Sequence, residues 1–131
     1  MKIFITASYN GEKNKEEIGR LCSIVKNAGF VDYCFARDEG IFENPKEMMD
    51  KARDEINNCD VLLFDATEIS TGRAIEVGIA FANKKKIIVI TKEGTEIKDT
   101  LRGVADIVIT YKEIEDIQDG LKQTYLEWTK L

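Results

Sequence analysis

Two uninterrupted apolar runs on either side of a helical segment constrain this fold more than any other feature of the sequence. The runs lie in Val61–Asp65 and residues 86–91, and the segment between them, residues 71–83, has helical spacing. Such runs are too short to span a bilayer. Strands that are apolar on both sides are typical of the interior of a parallel sheet covered by helices on both faces. The pattern therefore predicts a strand–helix–strand unit.

The same alternation of strands and helices continues along the chain. Further strands are predicted at residues 2–7, 30–36 and 106–111, and further helices at residues 14–28, 44–58 and 114–130. The start of the helix at residues 44–58 is marked by Asn44, by a proline at the first helical position and by Glu47. We therefore predict one α/β domain over residues 1–131, a flavodoxin/Rossmann-like three-layer sandwich with a five-stranded parallel sheet.

The composition excludes several kinds of site and partner. The chain has no histidine, so it cannot build a Ser-His-Asp or Cys-His couple or a histidine-ligated zinc site. A net charge of −5 disfavours duplex nucleic acid as a partner. The N-terminus enters a strand directly, and the scattered Cys22, Cys34 and Cys59 indicate reduced thiols in a cytoplasmic protein. We expect no membrane anchor, no metal and no cofactor.

Ligands of such sheets bind at the carboxyl ends of the strands, where loops 8–13, 66–71 and 92–100 should meet. Neither GxGxxG nor GxxxxGK[ST] occurs in the chain, which disfavours a dinucleotide or nucleoside-triphosphate site of those types. Asp65 ends a strand at this edge. Its carboxylate either has a supporting role in the ligand site or has no role there, and the sequence does not favour one over the other. Tyr9 is suited either to stacking on a planar base or to ordinary surface packing.

One carboxylate, Glu76, stands out in the helix that follows Asp65. Side chains on a helix lean toward its N-terminus, so Glu76 leans over Gly72 and leaves an open space with a carboxylate at its floor. Ser70, Thr71 and the helix N-terminus supply donors around that space, as an anionic or polyhydroxyl ligand requires. The alternative is an ordinary ion pair between Glu76 and Arg73 on an exposed face.

A stripe of small residues, Ala74, Gly78 and Ala82, runs along the same helix at intervals of four. It predicts close packing, either against the sheet or across a subunit interface.

The segment DATEISTGRAIEVGIAFANK, from Asp65 to Lys84, resembles the signature of the nucleoside 2-deoxyribosyltransferase superfamily. Within that superfamily it is most similar to the 2'-deoxynucleoside 5'-phosphate N-hydrolases, a likeness supported by NCDVLLFDAT before it and TLRGVADIVITY downstream. The likeness extends over nearly the whole chain, although only its Ser70–Gly72–Glu76–Gly78 core is specific.

The resemblance implies that Glu76 is a nucleophile that attacks the anomeric carbon of a (deoxy)ribose and expels the base. It implies that Ser70 contacts a 5'-phosphate, with the Gly72 amide nearby. It also implies that the segment Lys98–Arg102, which includes Asp99, reaches the phosphate site of a neighbouring subunit, in a homodimer or higher homo-oligomer.

The chain departs from the family pattern at two positions. Tyr9, within the loop Ser8-Tyr9-Asn10-Gly11, stands where the phosphohydrolases carry an arginine for the phosphate. Ala52 stands where superfamily members carry an aspartate, which leaves the proton donor to the leaving base unassigned.

Several functions fit these observations. The first is an N-glycosidase of small nucleosides or nucleoside 5'-monophosphates, with Glu76 as nucleophile and Ser8, Tyr9, Asn10, Asp65, Ser70, Gly72, Lys98 and Asp99 as substrate-binding residues. A nucleoside deoxyribosyltransferase would differ only in the acceptor that resolves the intermediate. A non-catalytic nucleotide-binding domain is the alternative that both departures favour. Cleavage of a nicotinamide glycosidic bond ranks lower, because nothing in the chain identifies an adenosine-diphosphate site.

Overall fold

Five parallel strands form the central sheet of the protein. The computed structural model describes residues 1–7, 12 and 14–130. The strands are β1 (Lys2–Thr6), β2 (Val31–Cys34), β3 (Val61–Asp65), β4 (Lys86–Lys92) and β5 (Ile107–Tyr111). They lie in the order β2-β1-β3-β4-β5, and each pair of neighbours is parallel. This doubly wound order confirms the predicted flavodoxin-like architecture and places the switch in strand order between β1 and β3.

Helices cover both faces of the sheet. They are α1 (Lys15–Asn27), α2 (Phe35–Asp38), α3 (Pro45–Asn58), α4 (Thr71–Ala82), α5 (Asp99–Val104) and α6 (Ile117–Trp128), and a 3₁₀ turn at Ile114–Asp116 precedes α6. Ile3, Ile5 and Ile90 belong to the core cluster under α1 and α6. Phe4 and Val89, the alternate residues of the same strands, pack under α3 and α4. This alternation fixes which face each strand residue meets.

Local sequence signals account for two of the helix ends. The Asn44 side chain accepts hydrogen bonds from the amides of Lys46 at 2.8 Å and Glu47 at 3.2 Å, so the predicted cap of α3 is confirmed. After α1 the chain turns at Gly29, whose φ of +119° favours glycine. A Cβ at Gly29 would also lie 2.7 Å from the Tyr125 ring, so a side chain is excluded there.

The second strand is shorter than the sequence predicts. We expected a strand over residues 30–36, but β2 ends at Cys34, and Phe35 begins the short helix α2. The Asp38 carboxylate accepts a hydrogen bond from the Cys34 amide at 3.0 Å, and the Glu39 amide donates to the Phe35 carbonyl oxygen at 3.0 Å. These local bonds supply partners for backbone polar groups in a turn. The apolar character of Phe35 and Ala36 gives no sign of that turn.

The cysteines match the prediction: Cys22, Cys34 and Cys59 are buried free thiols. Within the described ranges, none of the helices has both the length and the apolar character needed to cross a bilayer.

Candidate functional site

A cavity of about 600 Å³ opens at the carboxyl edge of the sheet, beside the loop between β3 and α4. The ends of β1, β3, β4 and β5, the start of α1 and the loop between β3 and α4 form its wall. Its polar lining includes Thr6, Asp65, Ser70, Arg73, Lys92 and Tyr111. The position agrees with the rule that doubly wound sheets bind ligands at this edge.

Hydrogen bonds attach the β3–α4 loop to the two strands beside it. Asp65 Oδ1 accepts from the Thr67 amide at 2.9 Å, and Asp65 Oδ2 accepts from the Tyr111 hydroxyl at 2.7 Å. The Lys92 amide donates to Thr67 Oγ1 at 2.9 Å. Both carboxylate oxygens of Asp65 are therefore engaged within the protein, where they join the β3–α4 loop to Tyr111. Burial raises the pKa of Tyr111 to about 12, so this hydroxyl keeps its proton at neutral pH.

The loop delivers Ser70 to the start of α4. Ser70 is the N-cap, and its Oγ accepts a hydrogen bond from the Arg73 amide at 3.3 Å. Gly72 lies in the first turn, and the position that a Cβ would occupy there has no heavy atom within 4 Å. The open space that the sequence predicts at the mouth of this helix is therefore present.

Glu76 lies one turn beyond Gly72 and is only partly exposed. Burial raises the pKa of Glu76 from its ordinary 4.5 to about 8; a negative charge on nearby Cys34 adds to this effect, and the Arg73 guanidinium opposes it. The side chain is not part of the cavity lining, whereas Ser70 and Arg73 are.

The alternative interpretation of Glu76 as one half of an ion pair is not supported. No ion pair joins Glu76 to Arg73 in the described part of the chain. The Arg73 guanidinium donates instead to the Glu68 carbonyl oxygen at 2.6 Å. Arg73 thus turns toward the β3–α4 loop and the cavity.

Position 52 contributes no acid to the site. Ala52 is 3% exposed and packs in the interior on α3. Neither neighbouring aspartate replaces it, because Asp50 pairs with Lys46 Nζ at 2.6 Å and the Asp54 side chain is 62% exposed.

Two of the remaining predicted residues lie apart from this cavity. Lys98 and Asp99 are exposed at the start of α5 and do not line it. Ser8, Tyr9 and Asn10 fall outside the described residues. No group of three or more acidic, cysteine or histidine side chains suited to a metal ion occurs in residues 1–7, 12 and 14–130.

The contributors to the cavity that sequence reasoning missed include Thr6, Arg20 and Tyr111. Thr6 and Tyr111 end parallel strands, so the argument that identified Asp65 applies equally to them. Arg20 comes from the second turn of α1, and only the packing of α1 beside the sheet brings it to the cavity.

The small-residue stripe of α4 faces away from the sheet. Ala74, Gly78 and Ala82 are exposed, whereas Val77 and Ala80 are the residues that pack on the strands. Packing of the stripe against the sheet, one of the two alternatives, is therefore wrong.

No protein-family model and no curated protein matches the sequence. Solved structures are nevertheless similar. The CMP N-glycosidase BcmB of Clostridium botulinum is 24% identical, with a TM-score of 0.72 over 94% of this chain and 99% of that chain. A 2-deoxyribosyltransferase of Bacillus psychrosaccharolyticus is 13% identical, with a TM-score of 0.70 over 91% of each chain. The 2-desoxiribosyltransferase of Leishmania mexicana is 16% identical, with a TM-score of 0.62 over 100% of each chain. The chain therefore has the fold of these N-glycosidase and deoxyribosyltransferase structures, as the resemblance in the sequence led us to expect.

Proposed function

We propose that this protein is an N-glycosidase that cleaves the base–sugar bond of (deoxy)nucleosides or nucleoside 5'-monophosphates through a covalent intermediate on Glu76. The observation that carries the proposal is the enclosed Glu76 carboxyl, one helical turn beyond the open face of Gly72. The fold shared with a CMP N-glycosidase and two deoxyribosyltransferases supports it.

The ionised Glu76 carboxylate attacks the anomeric carbon of the sugar. A bond forms between a carboxylate oxygen and that carbon, the carbon–nitrogen bond breaks, and its electron pair leaves with the base, which takes up a proton. Water then attacks the glycosyl ester and releases the sugar and the free carboxylate, with net retention. A carboxylate in a partly enclosed site interacts more strongly with the positive charge of the oxocarbenium-like transition state than it would in water.

The leaving base must take its proton from a group other than residue 52, since Ala52 has only a methyl group. This absence favours a second candidate function, a nucleotide-binding domain without turnover. A deoxyribosyltransferase remains the third candidate, because a second base can replace water as the acceptor of the sugar.

Chromatographic detection of free base separates these functions. Wild-type protein and Glu76→Ala are incubated with nucleosides and 5'-monophosphates in ribo and deoxy forms, with and without a second base. Glu127→Gln, which removes an exposed carboxylate on α6, is the matched control. We expect base release by the wild type and the control and none by Glu76→Ala. A new nucleoside formed only with the second base would identify a transferase. Binding without release from any substrate would favour the nucleotide-binding domain.

We also propose that the protein is a homodimer in the cytoplasm, with α4 at the interface. Ile75 and Phe81 are 48% and 56% exposed on this helix, beside the exposed Ala74–Gly78–Ala82 stripe. Apolar side chains around a small-residue stripe allow a second helix to approach closely. Lys98 and Asp99 would then be available to the site of the partner subunit. Three buried reduced cysteines support a reducing compartment.

A further inference from the structure

A second cavity, of about 390 Å³, lies between α5 and the last residues of β4 and β5. We call it the α5 cavity. Its lining includes Thr91, Glu96, Ile97, Arg102, Val108 and Thr110. Among the described residues, it shares none with the cavity that Asp65 and Ser70 line. Its volume is within the range of small-molecule sites, which is about 300–1,000 Å³.

The α5 cavity is open because α5 is too short to cover the end of β5. This helix has six residues and is therefore about 9 Å long. Val89 of β4 and Val108 of β5 are partners in the sheet register. Val89 is fully buried, whereas Val108 is 45% exposed. One face of the sheet is thus covered over β4 and uncovered over β5.

Thr91 brings an unpaired hydroxyl to the α5 cavity. The residue is 4% exposed, and its Oγ1 atom is buried with no hydrogen-bond partner in the described part of the chain. Thr91 lies next to Ile90 in β4, so it projects from the opposite face, the one that Val89 shares. The buried hydroxyl of Thr124 instead donates to the Gly120 carbonyl oxygen at 2.8 Å. Because buried polar groups in native proteins have partners, the Thr91 hydroxyl points to a ligand.

The charged residues of the α5 cavity indicate the chemistry of that ligand. Arg102 only donates hydrogen bonds, Glu96 only accepts them, and the Thr91 hydroxyl does either. Within residues 1–7, 12 and 14–130, neither Arg102 nor Glu96 belongs to an ion pair. An anion would be repelled by Glu96 and a cation by Arg102. A neutral molecule with donors and acceptors side by side suits both residues.

We propose that the α5 cavity binds a free nucleobase, the class of molecule that the proposed reaction releases. The inference rests on the proposed function for the source of the base. A nucleobase carries acceptors and N–H donors on one edge, as Thr91, Glu96 and Arg102 require. Its flat faces are suited to the apolar side chains of Ile97 and Val108. Glu76 does not line this cavity, so a base bound there lies outside the reacting position.

A titration of the whole chain, followed by two-dimensional ¹H–¹⁵N NMR, tests the proposal. The probes are adenine, hypoxanthine, cytosine, uracil and thymine, with ribose as a polar probe that has no aromatic ring. The spectra locate each probe, since amides around Thr91 and Val108 report the α5 cavity and amides around Gly72 report the proposed catalytic site. The variants are Thr91→Val and Arg102→Gln. Arg53→Gln is the matched control, because Arg53 is an exposed arginine that lines neither cavity.

We expect at least one base, and not ribose, to shift the amide signals around Thr91 and Val108 in a saturable manner. Thr91→Val should raise the Kd of that base about 3- to 10-fold, the value of one neutral hydrogen bond, and Arg102→Gln should raise it at least as much. Arg53→Gln should leave the Kd unchanged. The thermal midpoint of unliganded Thr91→Val should not fall, because the substitution removes an unpaired hydroxyl. Thr124→Val, which removes a bonded one, should lower it.

The proposal is overturned if no base shifts the signals around Thr91, or if every base shifts only those around Gly72. An unchanged Kd in both Thr91→Val and Arg102→Gln, or an equal response to ribose, would also overturn it. The two hypotheses fail separately because binding is measured without turnover. A base in the α5 cavity of a protein that releases no base keeps this site and removes the glycosidase. Base release that depends on Glu76, with no base in the α5 cavity, does the reverse.

Discussion

Replacing Glu76 by glutamine should make the folded protein more stable at neutral and alkaline pH. Burial raises the pKa of this carboxyl from 4.5 to about 8 in the folded state, so the folded protein binds the proton more tightly than the unfolded chain does. For an acid shifted in this direction, stability is lost as the pH rises from the unfolded pKa through the folded one. Glutamine carries no charge at any pH and avoids that loss.

The size of the effect follows from the shift. A pKa raised from 4.5 to about 8 corresponds to roughly 4–5 kcal/mol between the two protonation states. Because the side chain is partly exposed, solvent screening reduces the expected effect to about 2–3 kcal/mol. The free energy of unfolding of Glu76→Gln, relative to the wild type, should therefore increase by about 2–3 kcal/mol between pH 4.5 and pH 9.

Urea unfolding of both proteins across this pH range measures the difference directly. Glu127→Gln is the control, because an exposed carboxylate loses little hydration when the chain folds. A Glu76→Gln difference that stays constant with pH, or that Glu127→Gln reproduces, would show that Glu76 is not the enclosed carboxyl described above.

Three further outcomes follow from the site and the surface. Base release should increase on the order of 50-fold in kcat/KM between pH 6 and pH 8, because only ionised Glu76 attacks the sugar; a profile that is flat over this range would contradict that role. Tyr111→Phe should raise KM for the substrate several-fold and destabilise the protein by about 1 kcal/mol, since the bond to Asp65 fixes the loop before Ser70. Tyr33→Phe is the control, because it also removes a tyrosine–carboxylate hydrogen bond, the 2.8 Å bond to Glu39. It should destabilise the protein without changing KM, and an equal change in KM would contradict the special role of Tyr111. Phe81→Asp should convert a dimer into a monomer in analytical ultracentrifugation, whereas a sedimentation coefficient equal to that of the wild type would exclude α4 as the interface.

The sequence predicted the architecture because the relevant signals are local. The apolar runs of β3 and β4 and the cap at Asn44 act through neighbours in the chain, and all three are present in the structure. The end of β2 was predicted wrongly for a related reason. Phe35 and Ala36 have the apolar character of a strand, but a side chain three to four residues later, Asp38, satisfies the backbone in a turn.

The candidate site was less predictable because its residues are joined by topology. Asp65 and Tyr111 are 46 positions apart, and they meet only because β3 and β5 both flank β4 and end at one edge. Arg73 shows a different limit. Its spacing from Glu76 allows an ion pair on an ideal helix, whereas the guanidinium turns to the Glu68 carbonyl oxygen instead. Which of these two acceptors Arg73 contacts depends on the conformation of the β3–α4 loop. The spacing of residues along the helix does not reveal that conformation.

Three features at this edge of the sheet oppose folding. Glu76 is enclosed, Arg73 Nε is buried without a partner, and the Thr6 hydroxyl is buried without a partner among the described residues. A protein selected only for stability would carry glutamine in place of Glu76 and of Arg73, and valine in place of Thr6. All three lie on α4 or on the strand end that α4 covers. Because the Arg73 guanidinium lowers the pKa of Glu76, Glu76→Gln and Arg73→Gln should have non-additive effects on the free energy of unfolding, and a double-mutant cycle that is additive within about 0.5 kcal/mol would show that the two side chains do not interact.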